Sequence, residues 1–265
     1  MYERWWFALR PFRTVDGGRR ANGTVLETAR SVALWYPAAD GERRPTVGRP
    51  PSAVGARRFP AAGDRFTMSE TTAEIVLFDG FDELDAIGPY EVFENAADLG
   101  ADLETRLVTL EGDDDIVAAS HGLGVESQGT LGKPDLLVVP GGGWTGEGGV
   151  RAVVEDGSLP DAVDERYTAG ATVASVCTGA MILSEAGLLE GRPAATHPVA
   201  VDDLAGTDAT VVDERVVDDG DVLSAGGVTS GIDLALWIVE REFGEDVADA
   251  VGERMAHERR GEVFG

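Results

Sequence analysis

The sequence predicts an α/β fold in which a mostly parallel sheet is covered by helices on both faces. Short apolar runs, such as residues 74–78 and 135–139, alternate with stretches of helical period. The run 135–139 is apolar without alternation, which is typical of a parallel strand buried on both sides. Residues 172–187 read as a strand, a tight turn and a helix that is closed by Gly187.

The rest of the chain after residue 68 follows the same alternation. We predict, in chain order, a helix from residue 81 with an acidic first turn, a strand over 103–110, a hairpin over 120–129, one or two helices over 150–168, a brief strand ending near 196, a hairpin over 209–217 and 221–225, a helix opened by a Ser230 and Asp233 capping box, and a last helix over about 245–260. His121 and His257 are expected to be exposed.

The net charge of −26 is divided unevenly along the chain. Residues 1–67 hold twelve Arg against six acidic residues, a net of +6, whereas residues 68–265 have a net of −32. Dispersed carboxylates keep a protein hydrated in concentrated salt, so we expect a halophilic protein. The same charge disfavours binding of residues 68–265 to nucleic acid.

The composition also predicts the domain boundary and the compartment. Residues 1–67 show no sustained strand or helix period, and we interpret them as a disordered or mis-annotated extension, with translation starting at Met68. A basic tail that contacts nucleic acid or the acidic body is the alternative. Residues 68–265 then form one domain. A single cysteine and no apolar run of membrane-spanning length predict a cytoplasmic protein.

Cys177, the only cysteine, lies at the turn between the strand and the helix of residues 172–187. The first N–H groups of the helix and its dipole would favour the thiolate there. A lone cysteine is more often a small buried apolar residue. Its place at a strand-to-helix turn, followed by Thr178 and Gly179, favours a nucleophile elbow.

Two further residues are candidates for proton transfer. Asp85 shares a helical face with the apolar residues Gly88, Pro89 and Val92, so its carboxyl is expected to point inward and to have a raised pKa. The alternative is a capping pair with Asp82. His197 follows a predicted strand, where α/β proteins collect catalytic groups, although a single His is usually structural.

A glycine-rich loop follows the buried strand 135–139. Gly141, Gly143 and Gly146 match a dinucleotide fingerprint in spacing, but the next strand lacks the acidic residue that a ribose needs. We interpret these glycines as a loop whose N–H groups approach reacting atoms. Gly141, Gly143 and Trp144 are the predicted pocket residues, and no cofactor or metal is expected.

Four stretches together resemble the ThiJ/PfpI superfamily, namely residues 80–85, 139–142, 175–179 and 196–198. The resemblance spans residues 74–244 and implies a flavodoxin-like, class I glutamine amidotransferase-like fold. Within the superfamily the chain is most similar to isonitrile hydratase and to the N-terminal domains of AraC-type regulators.

The resemblance also implies roles for particular residues. Cys177 would be the nucleophile, Asp85 would lie beside its sulfur, and the N–H groups of Gly142 and Thr178 would form an anion hole. His197 matches the histidine near the cysteine in the deglycase and glyoxalase branch. Proteolytic members place a His directly after the nucleophile, where this chain has Thr178.

These inferences predict a small-molecule enzyme of the isonitrile hydratase type, and the resemblance implies a homodimer. Cys177 would attack an electrophilic carbon, Asp85 would protonate the adduct, and water would release an N-formyl amide. Two alternatives remain open. One is a glyoxalase or deglycase activity on 2-oxoaldehydes that uses His197, and the other is a non-catalytic module that binds a ligand or senses oxidation of Cys177.

Overall fold

A computed structural model of the protein describes residues 70–112 and 116–265. The predictions about residues 1–67 and a start at Met68 lie outside these residues. None of the helices in the two described segments combines the length and apolarity that crossing a membrane requires.

Strands and helices alternate along most of the chain. They are β1 (Thr71–Leu77), α1 (Glu83–Asp98), β2 (Leu103–Thr109), β3 (Ile116–Ala118), β4 (Gly124–Glu126), β5 (Leu136–Val139), α2 (Val150–Asp156), α3 (Ser158–Thr168), β6 (Thr172–Val176), α4 (Ala180–Glu185), β7 (Pro193–Ala194), α5 (Val201–Leu204), β8 (Thr210–Val211), β9 (Val216–Asp218), β10 (Val222–Ala225), α6 (Ser230–Phe243), α7 (Glu245–Met255) and β11 (Val263–Phe264).

Seven of the strands form one sheet in the order β2, β1, β5, β6, β10, β9, β11. The five strands from β2 to β10 are parallel, β9 is antiparallel to β10, and β11 is parallel to β9. The prediction of a mostly parallel sheet is therefore confirmed. Val139 pairs with Ser175 and Ala225 pairs with Val176, so β5, β6 and β10 finish at the same level. The loops that follow these strands therefore meet at the carboxyl-terminal end of the sheet.

The sheet separates two apolar cores because successive side chains of a strand point to opposite faces. Ile75 and Val138 belong to a core with residues of α1, α6 and α7. Their neighbours Val76 and Leu137 belong to a core with residues of α3 and α4. All four side chains are buried, which accounts for the continuous apolar runs in the sequence.

Two predicted hairpins differ from the structure in their strands. The hairpin expected over 120–129 is formed instead by β3 and β4, with its turn near residues 119–123. In the second case β9 and β10 do pair in an antiparallel hairpin, but β8 pairs in parallel with β7. Alternation in the sequence identified strand residues but not their partners.

The predicted capping box of Ser230 and Asp233 is wrong. The Ser230 hydroxyl accepts a hydrogen bond from the Gly227 N–H at 3.1 Å and lies at the first position of α6. Asp233 instead accepts hydrogen bonds from Arg215 and, at 2.8 Å, from His257 Nε2. His257 is therefore bound to a buried carboxylate, contrary to the expectation that it is solvated, and α7 ends two residues before it.

Candidate active site

The predicted strand, turn and helix around Cys177 are confirmed. Strand β6 ends at Val176, residues Cys177–Gly179 form a short 3-10 turn, and α4 follows. Cys177 has φ +59°, one of two positive values among the non-glycine residues of the described chain. A residue with a Cβ adopts this left-handed conformation at a cost of about 1–3 kcal/mol, and such strain is concentrated at functional sites.

Glycines allow the neighbouring loops to approach this turn closely. A Cβ added to Gly179 would lie 2.4 Å from the Val139 carbonyl oxygen, and one added to Gly141 would lie 2.6 Å from Asp85 Oδ2. Backbone of the β5 loop therefore packs directly against the elbow and the carboxyl. A side chain at either glycine would push these groups apart.

The prediction that Asp85 points inward is confirmed, because none of its surface is exposed. Its Oδ2 accepts a hydrogen bond from the Gly141 N–H at 3.0 Å. Its Oδ1 is buried without a hydrogen-bond partner of good geometry among the described residues. The N-cap of α1 is Asp82 itself, which accepts from the Leu84 N–H at 3.2 Å, so Asp85 is not needed as a cap.

Asp85 and Cys177 interact and shift each other's pKa. Burial is the largest cause that raises the pKa of Asp85 to about 8, and the nearby charge of Asp82 adds to it, whereas the Gly141 N–H and the Cys177 thiol act in the opposite direction. The carboxyl is therefore protonated at neutral pH. Two acids this close titrate as a pair, so the pair carries at most one negative charge.

The expectation that the elbow ionises Cys177 by itself is wrong. Burial raises the pKa of the thiol above its ordinary value, and the charge of Asp85 raises it further, although the Thr178 N–H near the sulfur lowers it. Only 5% of the Cys177 surface is exposed. Desolvation here outweighs one N–H and a helix of one and a half turns.

The predicted anion hole of Gly142 and Thr178 is only half present. The Thr178 N–H points toward the sulfur. The Gly142 N–H, however, donates to the Thr178 hydroxyl at 2.9 Å, and the same hydroxyl donates to the Gly142 carbonyl at 2.8 Å. The Gly142 N–H is thus occupied, because the hydroxyl of Thr178 ties the β5 loop to the elbow.

Of the predicted pocket residues, only Gly141 contacts the reactive pair. Gly143 packs against Gly149 at the start of α2, and its carbonyl accepts from the Arg151 N–H at 3.0 Å. Trp144 is buried in the core with α3 and α4, its Nε1 donates to Asp203 at 2.6 Å, and the Arg151 guanidinium lies 3.8 Å from its ring centre. The core and two polar partners hold the Trp144 ring, and Trp144 is not among the residues that line the cleft beside Thr196.

His197 directly follows Thr196 in the chain, and its ring has a local role. Its Nδ1 accepts from the Val199 N–H at 3.2 Å, which caps the 3-10 turn Pro198–Ala200. The residue that reaches the elbow is Thr196, whose hydroxyl donates to the Cys177 carbonyl at 3.0 Å. Sequence reasoning missed Thr196 because only the histidine of this motif has obvious chemistry.

A second polar cluster lies beside α1. The Glu83 carboxylate is hydrogen-bonded to the Ser120 hydroxyl at 3.2 Å, to His121 Nδ1 at 2.7 Å and to the His121 backbone N–H at 2.8 Å. Desolvation opposes the effect, but these hydrogen bonds lower the pKa of Glu83 to about 2. Asp82, Glu83 and His121 also form the one group of potential metal ligands found in the described residues. The cluster ties the β3–β4 hairpin to the start of α1.

An open cleft of about 790 Å³ adjoins the elbow through Thr196. Its walls combine apolar side chains with polar groups at the carboxyl end of β10, namely Thr196, Pro198, Val201, Val211, Val212, Asp213, Glu214, Arg215, Gly226, Gly227 and Ser230. The cleft has room for a small organic molecule. Cys177 and Asp85 are not among its lining residues.

A parallel sheet, a strained cysteine at a strand-to-helix turn and a buried carboxyl beside it define a class, the α/β proteins with a cysteine nucleophile elbow. Within that class the chain belongs to the DJ-1/PfpI family, whose model matches residues 71–241. The resemblance drawn from the four motifs is confirmed.

Known proteins of several kinds are similar to this chain. The isonitrile hydratase of Pseudomonas putida is 33% identical over 181 residues, which cover 66% of this chain and 74% of that protein. The HTH-type transcriptional regulator CdhR of Pseudomonas aeruginosa is 32% identical over 68% of this chain but only 53% of its own length. The crystal structure of a ThiJ/PfpI family protein from Pseudomonas syringae has a TM-score of 0.65 at 24% identity, covering 77% of this chain and 84% of that chain.

Proposed function

We propose that this protein is a cysteine-dependent hydratase that converts isonitriles to N-substituted formamides. The observation that carries the proposal is the fully buried Asp85 carboxyl beside the Cys177 thiol, with no well-formed hydrogen bond to Oδ1 from the described residues. The similarity to an isonitrile hydratase over 74% of that protein supports the same reaction. An isonitrile carbon accepts a proton and a nucleophile at one atom, which suits an acid and a thiol held side by side.

The first step adds the thiol across the isonitrile carbon. Asp85 gives its proton to that carbon while the Cys177 sulfur bonds to it, and the carboxylate then takes the proton of the thiol. The product is a thioimidate in which the carbon carries hydrogen and the enzyme's sulfur and is doubly bonded to nitrogen. Asp85 and Cys177 never carry a negative charge at the same time in this step. This condition must hold because the buried pair carries at most one negative charge.

The second step releases the product. Water adds to the thioimidate carbon, one of its protons goes to nitrogen, and Asp85 acts as the acid and base between them. The carbon–sulfur bond then breaks and the hydroxyl proton returns to sulfur, so that the formamide leaves and the thiol is restored. The sum is one isonitrile and one water for one formamide.

Turnover of cyclohexyl isocyanide by the purified full chain tests the proposal. We expect N-cyclohexylformamide, measured by chromatography and mass spectrometry, and its loss in Cys177→Ala. Ser175→Ala is the matched control, since Ser175 is a buried neighbour on β6 whose hydroxyl lacks a partner among the described residues. Assays in concentrated KCl allow for the expected halophilic character. No formamide from folded wild-type protein would refute the proposal.

The two alternatives give different results in the same assay. Consumption of methylglyoxal, with no formamide from the isocyanide, would favour an enzyme acting on 2-oxoaldehydes. That reading gains no support from His197, whose Nδ1 is occupied as a cap. Absence of turnover of either compound would favour a binding or sensing module, a role consistent with the similarity to a transcriptional regulator.

A further inference from the structure

We propose that Thr196 is a positioning residue that holds the backbone of Cys177 in its reactive conformation. The Thr196 hydroxyl donates to the Cys177 carbonyl oxygen at 3.0 Å. Only 6% of the Thr196 surface is exposed, so the bond is shielded from competing water. The two residues are 19 positions apart, so this is a tertiary contact and not part of the local turn.

The carbonyl that Thr196 binds belongs to the strained residue itself. With φ at +59°, Cys177 would relax toward the ordinary helical or extended region unless surrounding contacts opposed it. A hydrogen bond to its carbonyl fixes the peptide plane that follows Cys177. That plane also carries the Thr178 N–H, which lies near the sulfur.

One hydroxyl therefore controls two features of the nucleophile. If the peptide plane rotates, the Thr178 N–H turns away from the sulfur, and the Cys177 backbone can relax to a conformation that moves the sulfur relative to Asp85. The hydrogen bond of Thr196 goes to the Cys177 backbone and not to the Cys177 sulfur or the Asp85 carboxyl. Thr196 therefore acts through Cys177 and is a positioning residue, not a catalytic one. Thr196 also lines the 790 Å³ cleft, so a ligand there would contact the residue that holds the elbow.

Alkylation of the single cysteine by iodoacetamide, followed by mass spectrometry across pH, tests the inference. Thr196→Val keeps the shape of the side chain and removes the donor. We expect its alkylation rate to fall about five- to tenfold at each pH, the effect of one net hydrogen bond. Thr196→Ser keeps the donor and is expected to stay within about twofold of wild type.

Thr105→Val is the matched control. Thr105 is as buried as Thr196, but its hydroxyl has no partner among the described residues. The same substitution there should leave the alkylation rate unchanged. If Thr196→Val does not fold, Thr196→Ala replaces it, because the vacated volume opens into the cleft.

The outcome is distinct from that of the proposed function. The inference rests on Cys177 being the nucleophile of that function, but alkylation needs no isonitrile. Alkylation of Thr196→Val at the wild-type rate, or no rescue by Thr196→Ser, would overturn the positioning role. Failure of formamide formation alone would leave it standing and refute only the proposed reaction.

Discussion

Two buried aspartates of this domain have opposite surroundings. Asp85 in α1 is fully buried and accepts one backbone N–H on Oδ2, while Oδ1 lacks a well-formed partner in the described chain. Asp233 in α6 is 4% exposed and is bound by Arg215 on one oxygen and by His257 and the Arg260 N–H on the other. Both side chains are buried, and the main difference between them is in their hydrogen-bond partners.

The difference shows how one fold separates a structural carboxylate from a reactive acid. The Arg215 guanidinium compensates the desolvation of Asp233, and the bonds from His257 and the Arg260 N–H join α6 to the segment after α7. Asp85 has no such cation, and the charge of Asp82 opposes its ionisation, so the proton stays on the carboxyl at neutral pH. A buried acid without a counter-ion destabilises the fold at any pH at which it ionises. A role in proton transfer would explain why the chain has such an acid at position 85.

Replacing the reactive acid should have the largest effect. Asp85→Asn keeps the shape but cannot give a proton, and we expect formamide turnover to fall about 10²- to 10⁴-fold. Asp98→Asn on the same helix is the control, because its exposed ion pair with Arg254 contributes little. Steady-state kinetics of both variants measure the effect. Turnover by Asp85→Asn within threefold of wild type would exclude the acid role.

Replacing the structural carboxylate should act on folding instead. Asp233→Asn leaves the Arg215 guanidinium without a counter-charge, and we expect a loss of about 3 kcal/mol in the free energy of unfolding. Chemical denaturation in concentrated KCl measures it, with Asp249→Asn on the exposed face of α7 as control. An unchanged unfolding free energy in Asp233→Asn would show that the cluster is not structural.

The raised pKa of Asp85 predicts how stability varies with pH. The folded protein keeps a proton up to about pH 8, whereas the unfolded chain releases it near pH 4, so unfolding releases a proton between these values. Wild-type stability relative to Asp85→Asn should therefore fall as the pH rises from 4 to 8, by up to about 1.4 kcal/mol per pH unit. Denaturation of both proteins across this range measures the difference. Parallel curves would contradict the raised pKa.

The smallest expected effect concerns Trp144. Trp144→Phe removes the hydrogen bond from Nε1 to Asp203, and we expect a loss of about 1 kcal/mol in stability with no change in turnover. Trp237 is partly buried against the other core, and Trp237→Phe, which removes its bond to Asp218 at 2.7 Å, should cost a similar amount. Thermal unfolding and the isocyanide assay check both. A clear change in turnover or KM for Trp144→Phe would indicate that the Trp144 ring contacts the substrate.

Residues whose placement follows from local pattern were predicted correctly. The helical period around Asp85 fixes the face on which it lies, and the apolar strand before Cys177 fixes the elbow. The parallel sheet likewise follows from the alternation of strands and helices.

Residues whose partners are distant in the chain were not predicted. Gly142 gives its N–H to Thr178, 36 positions away, and His257 binds Asp233, 24 positions away. Neither bond leaves a periodic signal in the sequence. The protonation of Cys177 was also missed, because desolvation depends on how completely the other loops close over the turn.

The last strand of the described sheet has a consequence for association between molecules. Residues Val263 and Phe264 hydrogen-bond to β9, so on this side the sheet ends in a strand of two residues. So short an edge presents few free N–H and C=O groups to a neighbouring chain. Deleting residues 261–265 would uncover β9, and strand-to-strand aggregation is the expected result.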